Sequence, residues 1–166
     1  MKRLNVPAAK YFVRSDCSLY VDACFGDERE TCVLKKEHGP TLRNLFELVK
    51  HPENSGVFFF RAPFFDGKYM TLLQNTWLSC HRTVSHIKFL GKEAEFELFS
   101  LPEWKSKNCI KLEADGLHNF RAIVRSAANK QFICIYKPQT QGTAPLELST
   151  TEQDPARATI FKFENM

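Results

Sequence analysis

No stretch of this chain approaches the roughly 18 consecutive apolar residues of a membrane-spanning helix. Nor does an apolar run of signal-peptide length follow the opening Met1-Lys2-Arg3-Leu4-Asn5-Val6-Pro7, because Lys2, Arg3, Lys10 and Arg14 interrupt it. Charge of one sign is missing too. The 23 basic and 19 acidic residues leave +4, too mild to announce a nucleic-acid partner and too mixed for a disordered tail. Glycine is scarce, at 7 of 166 residues, which excludes a collagen-like chain. The sequence also lacks Gly-x-Ser-x-Gly, His-Glu-x-x-His, Gly-x-x-x-x-Gly-Lys and Gly-x-Gly-x-x-Gly, the fingerprints of several hydrolases, metalloproteases and nucleotide binders. Cys-x-x-Cys is absent, and Cys17, Cys24 and Cys32 are spaced too widely for a zinc knuckle. These absences predict no catalytic residue, no metal and no cofactor.

What is present is one domain's worth of chain, 166 residues and 19.2 kDa, with an ordinary 43% of apolar residues. Phenylalanine stands out: 15 residues, which predict an aromatic-rich core. The six cysteines are Cys17, Cys24, Cys32, Cys80, Cys109 and Cys134. Several lie in apolar, strand-like runs such as Phe132-Ile133-Cys134-Ile135, where a thiol behaves as a small hydrophobe. The expectation is therefore reduced thiols in a cytoplasmic protein, with export without a signal peptide as the alternative. Cys80-His81 with His86 reads as one core thiol and two loop histidines rather than a metal cluster.

A repeat runs along the chain. Leu45-Phe46-Glu47-Leu48, Glu95-Phe96-Glu97-Leu98 and Ile160-Phe161-Lys162-Phe163 are variants of one phrase. Upstream of each lies an aromatic landmark: Tyr20, Tyr69 and Phe120. An extended apolar run precedes each landmark, namely Tyr11-Phe12-Val13, Val57-Phe58-Phe59-Phe60 and Cys109-Ile110-Lys111-Leu112. A short one follows it: Cys32-Val33-Leu34, Trp77-Leu78-Ser79-Cys80 and Phe132-Ile133-Cys134-Ile135. This spacing predicts three units of four strands, over about 9–56, 57–108 and 109–166, behind an N-terminal tail of residues 1–8.

Local patterning agrees. In Phe120-Arg121-Ala122-Ile123-Val124-Arg125 the apolar Phe120, Ala122 and Val124 share one face and both arginines the other, a period of two. Asp66-Gly67 and Asp115-Gly116 mark turns. Helical periodicity is weak everywhere except a single turn at Thr41 to Asn44. The chain is read as all-β.

Three repeats of four strands are the plan of a β-trefoil, in which six strands close a barrel and six cap it as hairpins. Phe65-Asp66-Gly67-Lys68-Tyr69-Met70-Thr71, with Trp77-Leu78-Ser79-Cys80 and Ala94-Glu95-Phe96-Glu97-Leu98 after it, resembles the fascin-like trefoil pattern. That resemblance implies a non-enzymatic protein-interaction module, cytoskeletal or actin-binding by analogy. Layouts of the fibroblast growth factor and interleukin-1 type are compatible, although the Cys and Pro of their signatures are replaced by Ala94 and absent from 113–120. They imply an exported ligand as an alternative. A glycan-binding trefoil is a further alternative, although the nearest thing to a ricin-type Gln-x-Trp is Gln74-Asn75-Thr76-Trp77, one residue too long.

The candidate partner-binding residues lie in the third repeat. Arg121, Arg125, Lys130 and Lys137 could form a small docking patch for an anionic group. Gln139 and Gln141 fall in a polar segment from Lys137 to Ala156, which reads as a long loop projecting from the barrel. A protein partner is expected, a glycan is possible, and nucleic acid is not expected.

Overall fold

The computed structural model describes residues 1–16, 19–23, 32–35, 40–101, 119–136 and 146–166. They form twelve strands: β1 (Lys10–Ser15), β2 (Tyr20–Asp22), β3 (Val33–Lys35), β4 (Leu45–Lys50), β5 (Val57–Ala62), β6 (Lys68–Leu73), β7 (Trp77–Arg82), β8 (Phe96–Phe99), β9 (Phe120–Ser126), β10 (Phe132–Tyr136), β11 (Leu146–Glu152) and β12 (Phe161–Asn165). Helical residues among those described are confined to single 3-10 turns. One is Leu42–Asn44, where the Thr41 hydroxyl accepts from the Arg43 amide and the Asn44 side chain accepts from the Thr41 amide.

Six strands close on themselves in the antiparallel order β1, β4, β5, β8, β9, β12 and back to β1. Closure leaves this ring without a free edge. The other six form the hairpins β2–β3, β6–β7 and β10–β11, and β11 ties the cap together by pairing with both β3 and β7.

Register shows why the sequence builds this ring. Tyr11 faces Phe46, Phe58 faces Phe96 and Ala122 faces Phe161 within successive repeats. One inward position further on, Phe60 faces Leu48, Val124 faces Leu98 and Val13 faces Phe163 across the junctions between repeats. All twelve are buried in one core cluster. Alternation puts every second residue inside, so the recurrent apolar-polar-apolar phrase fills the barrel in layers. Where Ala122 replaces an aromatic, Phe120 supplies the volume: it stacks on Phe163 at 4.6 Å and meets Tyr11 edge-on at 5.2 Å. A void of about 20 Å³ remains on the axis, lined by apolar side chains including Val13, Phe60 and Val124.

The equivalence of Phe46, Phe96 and Phe161 expected from the sequence is thus met, but two expectations for the third repeat are corrected. Phe120 is not the counterpart of Tyr20 and Tyr69. It opens β9, the first strand of its repeat, and Phe132–Tyr136 is the second. The apolar period-two signal was right, but it cannot tell a first strand from a second. The segment Lys137 to Ala156 is not one projecting loop either, because β11 occupies Leu146–Glu152 and pairs with three strands. Its threonines and serine carried too little apolar character to be read as a strand. Residues 102–118, with the run Cys109 to Leu112, lie outside the described residues, as do 137–145.

The Asp66-Gly67-Lys68-Tyr69 phrase is explained by packing. Asp66 and Gly67 take φ of 53° and 63° to turn β5 into β6, and a Cβ at Gly67 would stand 2.6 Å from the Arg61 guanidinium. Lys130 takes φ 59° at the same place in the third repeat, with one residue between it and the next strand. Residues 1–8, read from the sequence as a tail, are docked. Leu4 donates to the Leu98 carbonyl at 2.8 Å, Ser100 to the Lys2 carbonyl at 2.7 Å, and Val6 is buried.

Candidate functional site

Each junction between repeats places two outward residues opposite one another, and the three junctions differ. At the first, Glu47 faces Arg61 and pairs with it at 3.2 Å, both side chains about one-third exposed (34% and 37%). At the third, Lys162 faces Arg14, which pairs instead with Glu164. At the second, Glu97 faces Arg125 and pairs with it at 3.2 Å, but Glu97 is only 1% exposed.

Two further elements bury Glu97. The docked N-terminal segment brings the Arg3 guanidinium onto Oε2, and the β9–β10 turn brings Lys130 Nζ to 3.0 Å from Oε1. Arg3 lies in a prepared slot: a Cβ at Gly56 (φ 79°) would stand 2.5 Å from Arg3 Cδ. The ring of Phe99 lies 5.8 Å from the Arg3 guanidinium and 4.7 Å from that of Arg125. Burial by itself would raise the Glu97 pKa, but hydrogen bonds from Lys130 and Arg125, together with their charges, outweigh it and hold the carboxyl below its ordinary value.

Beside this cluster opens a cleft of about 360 Å³, lined by Arg3, Glu53, Asn54, Lys92, Glu95 and Lys130 among others. The Glu95 carboxylate forms a wall of the cleft and is fixed by His51, whose Nε2 lies 2.9 Å away. His51 Nδ1 accepts from the amides of Glu53 and Asn54 at 3.1 and 3.0 Å. The ring proton therefore sits on Nε2 and is donated to Glu95. His51 also stacks on Phe59, with centroids 5.6 Å apart. Lys92 and Glu53 form no ion pair among the described residues. The cleft thus presents fixed donors and acceptors side by side, with apolar contributions from Val57 and Ala127.

No family model matches the sequence, and no curated protein matches it. Solved structures do match it by shape. The Polyporus squamosus lectin, bound in its crystal to the human-type influenza-binding epitope Neu5Aca2-6Galb1-4GlcNAc, superposes with a TM-score of 0.62 at 12% identity, over 95% of this chain and 49% of that one. This chain therefore spans about half of that lectin's length. The BEL β-trefoil superposes with a TM-score of 0.61 at 12% identity over 100% of both chains. The designed threefold-symmetric protein ThreeFoil gives 0.57 at 10% identity, over 95% of this chain and 99% of its own.

The fold is a β-trefoil.

On this trefoil the sequence-predicted residues separate. Arg125 and Lys130 converge on Glu97. Arg121 is engaged elsewhere, 3.9 Å from Asp16. Lys137, Gln139 and Gln141 lie outside the described residues. Sequence reasoning passed over Arg3, His51, Lys92 and Glu95, and gave Glu97 no role beyond its place in the repeat phrase. A signal for Glu97 did exist, since Glu47 and Glu97 recur in that phrase and face Arg61 and Arg125. It becomes readable once β9 is recognised as a first strand.

Cys32 and Cys80 are free and fully buried, with sulfurs 3.6 Å apart. The Cys32 hydrogen bond and burial push the Cys80 thiol well up. Nδ1 of His86 accepts from the Lys88 amide, and no group of metal-ligating side chains forms among the described residues.

Proposed function

We propose that this trefoil is a non-enzymatic binding module that takes carbohydrate in the cleft beside Glu97. The observation that carries this reading is the cleft lining, where carboxylate, amide, hydroxyl, guanidinium and ammonium groups alternate over about 360 Å³. A sugar hydroxyl donates and accepts at once, so such a lining satisfies several hydroxyls of one ring. The volume falls at the lower end of the range for small-ligand pockets, about 300–1,000 Å³. That lectins share the fold supports the reading by analogy.

A glycan array followed by calorimetry tests it. The double variant Glu53→Ala, Asn54→Ala should weaken binding of a captured glycan at least about tenfold, equivalent to about 1.4 kcal/mol. Arg61→Ala, at the first junction, should leave it unchanged. A folded wild-type protein that captures no glycan would refute the reading, as would binding indifferent to the double variant.

A protein partner is a second reading. Its candidate contacts are the exposed side chains Phe64 and Phe89, 56% and 55% exposed.

A further inference from the structure

We infer that the sugar taken by this cleft carries a carboxylate, held at the end formed by Arg3, Lys92 and Lys130. This rests on the carbohydrate reading and narrows it to one chemical class.

The argument is about which charges remain available. Glu97 is buried beneath three cations, Arg3, Arg125 and Lys130, so that cluster alone retains two uncompensated positive charges. Glu95 is buried and hydrogen-bonded to the neutral His51 ring, so its negative charge enters the balance. Counting Lys92, Glu95 and Glu53 with that cluster, four cations face three carboxylates, which leaves one positive charge, and Arg3 (44% exposed) and Lys130 (60%) are among the accessible cations. Donor capacity is also left over. A guanidinium has five N–H groups and an ammonium three, and Glu97 occupies only part of each set.

One of these cations is held where it is at a local cost. Lys130 adopts φ 59°, which side chains other than glycine rarely take. At the first junction the same left-handed turn position carries Asp66, and among the described residues Glu47 pairs with Arg61 alone, so only the second junction gathers additional cations. What sets this cleft apart is the multiply paired buried carboxylate, which holds the accessible cations Arg3 and Lys130 on one anchor.

A single carboxylate fits better than a polyanion. Glu53 stands on the same rim and Glu97 beneath it, so each added negative charge on the ligand meets repulsion from both. The overall charge of +4 supplies no extended basic track.

The test is titration of the full chain with matched sugars, methyl galactoside against methyl galacturonide and methyl glucoside against methyl glucuronide. It is run at about 0.01 M and 1 M salt, between which the Debye length falls from about 30 to about 3 Å. The expected result is at least tenfold tighter binding of one uronide than of its neutral partner at low salt, shrinking at high salt. Lys92→Gln and Lys130→Gln, each confirmed folded by circular dichroism, should bring the uronide affinity down to that of the neutral sugar. Equal binding of neutral and acidic sugars overturns this inference and leaves the carbohydrate reading standing. A uronide preference untouched by both variants overturns it as well, by placing the carboxylate elsewhere. Failure of the folded protein to bind any sugar, on the array or in titration, removes both.

Discussion

Glu47 with Arg61 and Glu97 with Arg125 are the same pair at successive junctions of one barrel, each at 3.2 Å, yet one is about one-third exposed and the other holds a carboxylate 1% exposed. The barrel did not make them different, because the strands beneath pair alike and pack Phe46 and Phe96 alike. Two additions did: an N-terminal segment laid along β8 and a turn with lysine at its left-handed position. Exposed pairs of the first kind are worth about 0–1 kcal/mol. Burying a carboxylate costs several kcal/mol, which additional partners must offset. The second junction has supplied those partners, and the excess positive charge they bring is available to a ligand.

The core beneath can be tested first. Phe46→Ala, Phe96→Ala and Phe161→Ala should each cost about 3–5 kcal/mol by chemical denaturation, the range for a buried phenylalanine. Comparable losses would confirm that the threefold core ignores the asymmetric surface. A loss below about 1 kcal/mol at any of the three would break the equivalence.

The carboxylates come next. Glu97→Gln should destabilise by about 2–3 kcal/mol, since it removes the buried anion that Arg3, Arg125 and Lys130 share, whereas Glu47→Gln should cost less than about 1 kcal/mol. The pH dependence separates them further. A carboxyl held below its unfolded value contributes stability above the unfolded pKa of about 4.3 and loses it as pH falls through the lower folded value. Melting curves from pH 7 down to pH 3 should therefore fall more steeply for wild type than for Glu97→Gln. Parallel curves would mean that Glu97 is not held down by its cations.

The smallest effect is expected at the turn. Lys130→Gly relieves the left-handed backbone, about 1 kcal/mol, and gives up an ion pair whose ammonium is 60% exposed. Stability should change by less than about 1 kcal/mol while the acid-induced loss becomes shallower. A larger destabilisation would show that the Lys130 ammonium, rather than the turn, anchors this hairpin.

Much of the fold was readable before the structure. The phrase around Phe46, Phe96 and Phe161 gave the closing strands of all three repeats, and Thr41 to Asn44 gave a capped turn. The third repeat is ambiguous in sequence because its first strand, Phe120–Ser126, has the same period-two signature as a second strand. Its third strand, β11, is rich in serine and threonine, so apolar contrast did not mark it. Of the candidate site, Arg125 and Lys130 were legible as basic residues near a turn, while Arg3 and Glu97 were not connected by any local pattern.

The sequence by itself determined the repeat, the alternation that turns each phenylalanine inward, and the turns that Asp66-Gly67 enforces, because these depend on neighbours a few residues apart. Only the tertiary structure decided which charges meet. Arg3 and Glu97 are 94 positions apart in the chain, and their pairing depends on the N-terminal segment docking along β8 and on the register between β8 and β9. Register across a closed barrel is fixed by the packing of all six strands at once, and no short stretch of sequence contains that information.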